Sequence, residues 1–118
     1  MNLQTHVTQD SELVVTFFGH MDAQGVKSHQ QEFAHLEQAQ ASQIVLDLHH
    51  VDLIDSSGIG AIVFLYKRMR NRGNSLSLIG IHGQPKTLIK MLRIHSTMSV
   101  SWSEEDKHSA NLVQQAKS

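Results

Sequence analysis

Two adjacent serines, Ser56 and Ser57, stand between Asp55 and a pair of glycines, Gly58 and Gly60. The run Val51-Asp52-Leu53-Ile54 precedes them, and Ile59, Ile62, Val63, Tyr66 and Met69 follow at helical spacing. The segment is therefore the place where a strand ends and a helix begins, the corner of an α/β sheet at which ligand and modification sites concentrate. Hydroxyls there either cap free backbone N–H groups or accept a covalent group, and a helix N-terminus favours an added anion. In the plain structural reading a serine caps the helix and the glycines serve packing. In the functional reading the corner is a docking surface, with Gly58 and Gly60 permitting close approach of another chain.

Other residues with chemical potential are less organised. Asp22, Asp47, Asp52 and Asp55 are the carboxylates from which a catalytic pair would be drawn, but acidic caps and solvated loops commonly account for such residues. Gly58-Ile59-Gly60 lacks the third glycine of a dinucleotide fingerprint because position 63 is Val, and no phosphate loop ending in Gly-Lys-Ser or Gly-Lys-Thr occurs. A hydrolase nucleophile needs glycine two residues earlier, where Ile54 and Asp55 precede Ser56 and Ser57. The reading is a protein without intrinsic catalysis and without a cofactor. The nine histidines show no metal spacing. His49 and His50 are adjacent on a strand and are expected on opposite faces, His29 and His35 share no helical face, and no His-Glu-x-x-His occurs. They read as scattered surface residues, with no metal site.

The elements that must position the corner follow from periodicity. Thr5 to Thr8 and Glu12 to Phe18 read as a hairpin closed by Gly19, and Asp22 as the N-cap of a helix through about Ala39, with Val26, Phe33 and Leu36 on one face. Ile44 to Leu48 is nearly all apolar, as in a strand covered on both faces of a parallel sheet. Gly73 fits the left-handed residue past the end of the next helix, whose Lys67, Arg68, Arg70 and Arg72 complement the negative end of its dipole. With Lys86, Lys90 and Arg93 these residues form either a solvated basic face or a contact for an acidic partner. Leu76 to Ile81 reads as a strand, Pro85 as the first residue of a helix containing Leu88, Ile89 and Leu92, and Val100 to Trp102 as a last strand. Ser103, with Glu104, Glu105 and Asp106, starts a final helix reaching Leu112 and Val113, and Gln114 to Ser118 frays. Met69, Met91, Met98 and Trp102 read as core rather than as a small-molecule pocket. The alternation predicts an α/β fold: one domain over residues 1–118, with its core over about 3–113, a mixed sheet of four to five strands and about four packed α-helices.

A chain of 118 residues with 40 % hydrophobic and 18 % charged residues suits one globular domain able to bury a core unaided. It has no cysteine, which excludes disulfides and thiolate chemistry. A net charge of −1 and 5 % aromatic residues disfavour nucleic acid as a direct partner. The longest apolar stretch, Ile59 to Tyr66, is far short of the roughly 20 residues that a membrane span needs, and the polar start lacks the order of a signal peptide. The expectation is a cytoplasmic protein without a membrane partner.

The stretch Val51 to Gly60, above all Asp55-Ser56-Ser57-Gly58-Ile59-Gly60, resembles the signature of STAS domains, specifically the stand-alone bacterial anti-sigma factor antagonists. Gly19-His20-Met21-Asp22, Gly73-Asn74-Ser75-Leu76 and Pro85 with Leu88, Ile89 and Leu92 extend the likeness over most of the chain. His20 departs from it where a carboxylate is common, and Arg93-Ile94-His95 replaces a frequent Gly-Leu pair. The resemblance implies that Ser56, rather than Ser57, is the phosphoacceptor of a protein-serine kinase that is often also an anti-sigma factor. It further implies that Asp22 and Asp55 flank the phosphorylation site and that a metal-dependent serine phosphatase opposes the kinase.

Phosphorylation adds about −1.5 to −2 charges to a small neutral hydroxyl. One pair of like charges 4 Å apart at an effective dielectric of about 20 repels by ~4 kcal/mol, and half of that weakens binding more than about tenfold. Local electrostatics is therefore sufficient to release a partner without a large conformational change. The output is either release of a sigma factor or control of another process, such as exopolysaccharide production or biofilm formation.

Overall fold

The computed structural model describes residues 1–103. Strands β1 (Asn2–Val7) and β2 (Leu13–Met21) form the expected antiparallel hairpin. β2 runs past Gly19, where the sequence placed its end: Gly19 adopts φ +90° within the strand, and Met21 beyond it is fully buried. Next come α1 (Ala23–Ser28) and α2 (Gln30–Gln38) where one helix from Asp22 to about Ala39 was expected. The break is at His29. Its ring Nδ1 bonds at 2.9 Å to the Gly25 carbonyl that its own amide would use in a continuous helix, and the amide turns to Val26 O instead.

A single strand, β3 (Gln43–Ile54), replaces the two expected segments. Its register against β2 steps from Thr16↔Asp47 to Phe18↔His50 and from Gly19↔Val51 to His20↔Leu53, so β3 carries an extra residue at each step. The first bulge overturns the expected placement of His49 and His50 on opposite faces. Their rings lie on one side with centroids 6.2 Å apart, and His50 stacks on Phe18 at 4.8 Å. The remaining elements are α3 (Ser56–Asn71), β4 (Ser75–Ile81), α4 (Gly83–Met91), a 3-10 turn (Ile94–Ser96) and β5 (Ser99–Trp102). α3 ends as the sequence predicts: Gly73 at φ +74° donates to Arg70 O and Asn74 N–H to Met69 O, closing the helix in a Schellman motif. Pro85 is the third residue of α4 rather than the first, still within the turn whose N–H groups lack helical acceptors.

The sheet order is β1-β2-β3-β4-β5, parallel from β2 onward. With this sequential order, the right-handed crossovers that parallel strands require put the four described helices on one face. One hydrophobic cluster joins Phe17, Leu46, Leu48 and Leu78 of the strands to Ile62, Leu65 and Met69 of α3 and Ile89 of α4. Met69 and Met98 belong to it as expected, and Trp102 packs against its rim. Met91 does not: as the last residue of α4 it points away from the core that Ile89 enters, and it is 73 % exposed. The helix expected after Ser103, with Leu112 and Val113, and the tail Gln114 to Ser118 lie outside the described residues. No described helix is long and apolar enough to cross a membrane.

Candidate functional site

β3 extends beyond its last pair with β4, Asp47↔Ile79, so the backbone of Ile54 has no strand partner on that side. The side-chain amide of Gln84 takes that place. Its Oε1 accepts from Ile54 N–H and its Nε2 donates to Ile54 O, both at 2.9 Å. On the other side Asp55 N–H donates to Met21 O at 3.2 Å. The end of β3 is thus held from α4 and from β2 at once.

Asp55 is the N-cap of α3. Its Oδ1 accepts from Ser57 N–H at 2.9 Å and Gly58 N–H at 3.0 Å, and its Oδ2 accepts from Ala23 N–H at 3.1 Å. Ala23 is the first residue of α1, whose own N-cap, Asp22, accepts from Gly25 N–H at 2.8 Å. One carboxylate therefore joins two helix N-termini, and Asp22 and Asp55 are brought to the same corner as Ser56. The reading in which a serine caps the helix is corrected here, because a carboxylate at the preceding position outcompetes a hydroxyl for the same N–H groups. Ser56 is left as the first residue of α3, exposed, with neither its hydroxyl nor its N–H bonded to a described residue. Ser57 is half-buried behind it.

The two glycines have different surroundings. A Cβ on Gly58 would lie 2.3 Å from Met21 O and 2.7 Å from Ile54 Cγ1, so its missing side chain lets α3 press against the chain's own strand ends. A Cβ on Gly60 would meet nothing within 4 Å. Only Gly60 opens space toward a second molecule. One turn further along α3, an apolar groove of about 260 Å³ runs between Ala61, Phe64 and Leu65 and the facing Val26, Phe33 and Ala34. Phe64 is half exposed, and the Arg68 guanidinium sits 5.1 Å from its ring centroid.

A second cluster lies on the sheet face opposite the described helices. Asp47 Oδ1 is 3.5 Å from His49 Nδ1, and His49 Nε2 is 3.4 Å from Ser103 Oγ. The order carboxylate, imidazole, hydroxyl is that of a hydrolase relay, but both separations exceed those of a working relay and Ser103 is only 2 % exposed. No substrate carbonyl reaches that oxygen. The cluster exists because Gly80, at φ +72°, leaves the space that His49 fills. Neither Gln84 nor Gly80 was identified from sequence. Gln84 gives no signal, since an amide bonding to backbone has no spacing rule, whereas a glycine inside an apolar strand does mark a bulge or close approach.

A mixed sheet of this order, with a strand-to-helix corner carrying Asp-Ser-Ser-Gly, defines a domain class. The chain belongs to the STAS domain family, whose model matches residues 2–110. Among solved structures it is similar to an anti-sigma factor antagonist from Mycobacterium paratuberculosis, with 17 % identity, 92 % of this chain and 93 % of that one covered, and a TM-score of 0.75. It is also similar to the anti-sigma factor antagonist SpoIIAA in its unphosphorylated form (14 % identity, 96 % and 98 % covered, TM-score 0.64). The phosphorylated form of the Bacillus cell fate determinant SpoIIAA gives 15 % identity, 92 % and 99 % coverage and a TM-score of 0.65. At these identities the likeness establishes the shared fold.

Proposed function

We propose that the chain is a phosphorylation-switched binding protein of a partner-switching pathway. Its unmodified form binds a cognate anti-sigma factor that is also a protein-serine kinase, phosphate on Ser56 weakens that complex, and a serine phosphatase restores it. The observation that carries the reading is the state of the Ser56 hydroxyl: exposed, bonded to no described residue and adjacent to a helix cap that does not need it. A residue with no structural task at a corner this tightly built is free to accept a group.

The cap also decides how phosphate acts. Ser57 and Gly58 N–H already serve Asp55, so a phosphoryl group does not replace a cap and stays outside the first turn. There it adds about −1.5 to −2 charges beside the Asp55 carboxylate and leaves the sheet and helices where they are. Gly60 and the groove at Phe64 continue the same side of α3, which supports a partner lying along it from Ser56. The chain acts by being bound, not by turnover. The same corner serves a sigma-factor output or the control of exopolysaccharide production and biofilm formation.

The test is incubation with the cognate kinase and ATP, followed by peptide mapping. Phosphate on Ser56, and its absence from the Ser56→Ala protein, is the expected result. Undiminished incorporation into Ser56→Ala refutes the assignment.

A further inference from the structure

The Ser56 hydroxyl bonds to no described residue, so its position follows the backbone on either side of it. Downstream that backbone belongs to α3. Upstream it is Ile54 and Asp55, and these two are held from opposite directions. Asp55 is tied toward β2 and α1, through its N–H to Met21 O and through its Oδ2 to Ala23 N–H. Ile54 is tied toward α4 by a single side chain, the Gln84 amide, which accepts from Ile54 N–H and donates to Ile54 O. Among the described residues, no strand pairs with Ile54 on that side. Without the Gln84 amide the corner keeps only its anchors on the β2 side.

Gln84 reaches from a fixed base. At the junction of β4 and α4, Ile81 O accepts from Ser103 N–H at 2.8 Å, and His82 Nε2 donates to His49 O at 2.8 Å. Pro85 and Ile89 of α4 are buried. The backbone that carries Gln84 is therefore joined to the residue after β5, to the middle of β3 and to the core, whereas Gln84 itself is exposed. Bonding both backbone groups of one residue requires a donor and an acceptor on one planar group. Asn carries the same pair on a side chain one methylene shorter, so the reach as well as the chemistry belongs to Gln.

We propose that Gln84 is a positioning residue for phosphate transfer to Ser56: from α4 it holds the end of β3, and thereby the angle at which the hydroxyl that follows meets the kinase. This inference rests on the proposed function. In the transfer, Ser56 Oγ forms a bond to the γ-phosphorus of ATP, the bond from that phosphorus to the bridging oxygen breaks to release ADP, and the hydroxyl proton passes to a base of the kinase. The attacking and leaving oxygens must lie in line, and a misplacement of about 1 Å costs about a hundredfold in rate. Gln84 acts through the Ile54 backbone and not on the reacting oxygen. The capping bonds of Asp55 do not involve it, so α3 still starts at Ser56 when Gln84 is replaced, and the loss falls on orientation.

The experiment combines steady-state phosphorylation of Ser56 by the cognate kinase with hydrogen exchange of the Ile54 amide in the chain alone. Gln84→Met keeps the length of the side chain and removes both bonds. It is expected to lower kcat about tenfold with KM changed by less than about twofold, and to speed exchange at Ile54 about tenfold. Gln84→Glu is the second variant: its carboxylate still accepts from Ile54 N–H but sets an oxygen without a proton against Ile54 O, so kcat falls while the Ile54 amide stays protected. Thr87→Ala is the control, because it removes a bond within α4, from Thr87 Oγ to Gly83 O at 3.4 Å, and leaves Gln84 in place; it is expected to behave as the parent. Circular dichroism verifies that each variant is folded. Unchanged kcat in both Gln84 variants overturns the proposal, and so does a rise in KM alone, which makes Gln84 a contact for the kinase. An equal loss of kcat in Thr87→Ala overturns it too and assigns the effect to a loosened α4. A parent chain that takes no phosphate on Ser56 refutes the proposed function itself, and this inference falls with it.

Discussion

The same one-methyl change, made two residues apart on α3, is expected to act with opposite signs. In Gly58→Ala the new carbon would stand 2.3 Å from Met21 O, a carbonyl also held by Asp55 N–H, and 2.7 Å from Ile54 Cγ1. Neither neighbour is the free end of a flexible side chain, so backbone must move. Overpacking of this kind costs about 3 kcal/mol, the upper part of its usual range. In Gly60→Ala the carbon meets nothing within 4 Å, and replacing a helix-interior glycine stabilises by about 1 kcal/mol. For a domain of this size each kcal/mol moves the melting temperature by about 3 to 6 °C. Thermal unfolding followed by circular dichroism, with urea titration as the second measure, therefore separates the two variants by about 4 kcal/mol. Under the proposed function Gly60→Ala also weakens partner binding although the domain is more stable, because the methyl projects from the docking face. A Gly58→Ala protein as stable as the parent, or a Gly60→Ala protein that melts lower, refutes the packing argument for this corner.

Two further substitutions probe how the corner and the opposite sheet face are held. Asp55→Ala removes the acceptor of three N–H groups and is expected to cost about 2 kcal/mol, with Asn restoring part of the loss because its oxygen still accepts; chemical denaturation measures both. Gly80→Ala places a carbon 2.5 Å from His49 Nδ1 at a positive φ and is expected to cost about 2 to 3 kcal/mol. Adding His49→Ala to Gly80→Ala recovers the steric part and leaves the backbone strain, and a double-mutant cycle by urea unfolding reads that difference.

The hairpin, the parallel order and the start and end of α3 were legible because each carries a local signal. β-Branched and aromatic residues mark β2, a near-continuous apolar run marks β3, and Gly73 marks the end of α3. What escaped depends on contacts between distant residues or on a side chain competing with its own backbone. The break at His29 follows from a ring nitrogen taking the Gly25 carbonyl, which no helical periodicity reports. The two bulges of β3 are set by pairing with β2, so the shared side of His49 and His50 was invisible in their adjacency. Methionine generally prefers cores, and only the place of Met91 at the end of α4, two residues past the buried Ile89, decides against it here. At the corner itself, the residue types were all present in the sequence, but the division of labour was not. Asp55 rather than a serine caps α3, Gly58 faces inward while Gly60 faces outward, and Gln84 closes the strand end from 30 residues away.

The central claim is that a covalent group on one unoccupied hydroxyl sets the binding state of an otherwise unchanged domain. It is tested most directly by titrating the partner kinase, with no nucleotide present, against one preparation of this chain before and after enzymatic phosphorylation, with circular dichroism recorded on both samples. The account predicts superimposable spectra and an affinity reduced more than about tenfold. Equal affinity of the two forms, or a loss of affinity accompanied by a loss of folded signal, contradicts it.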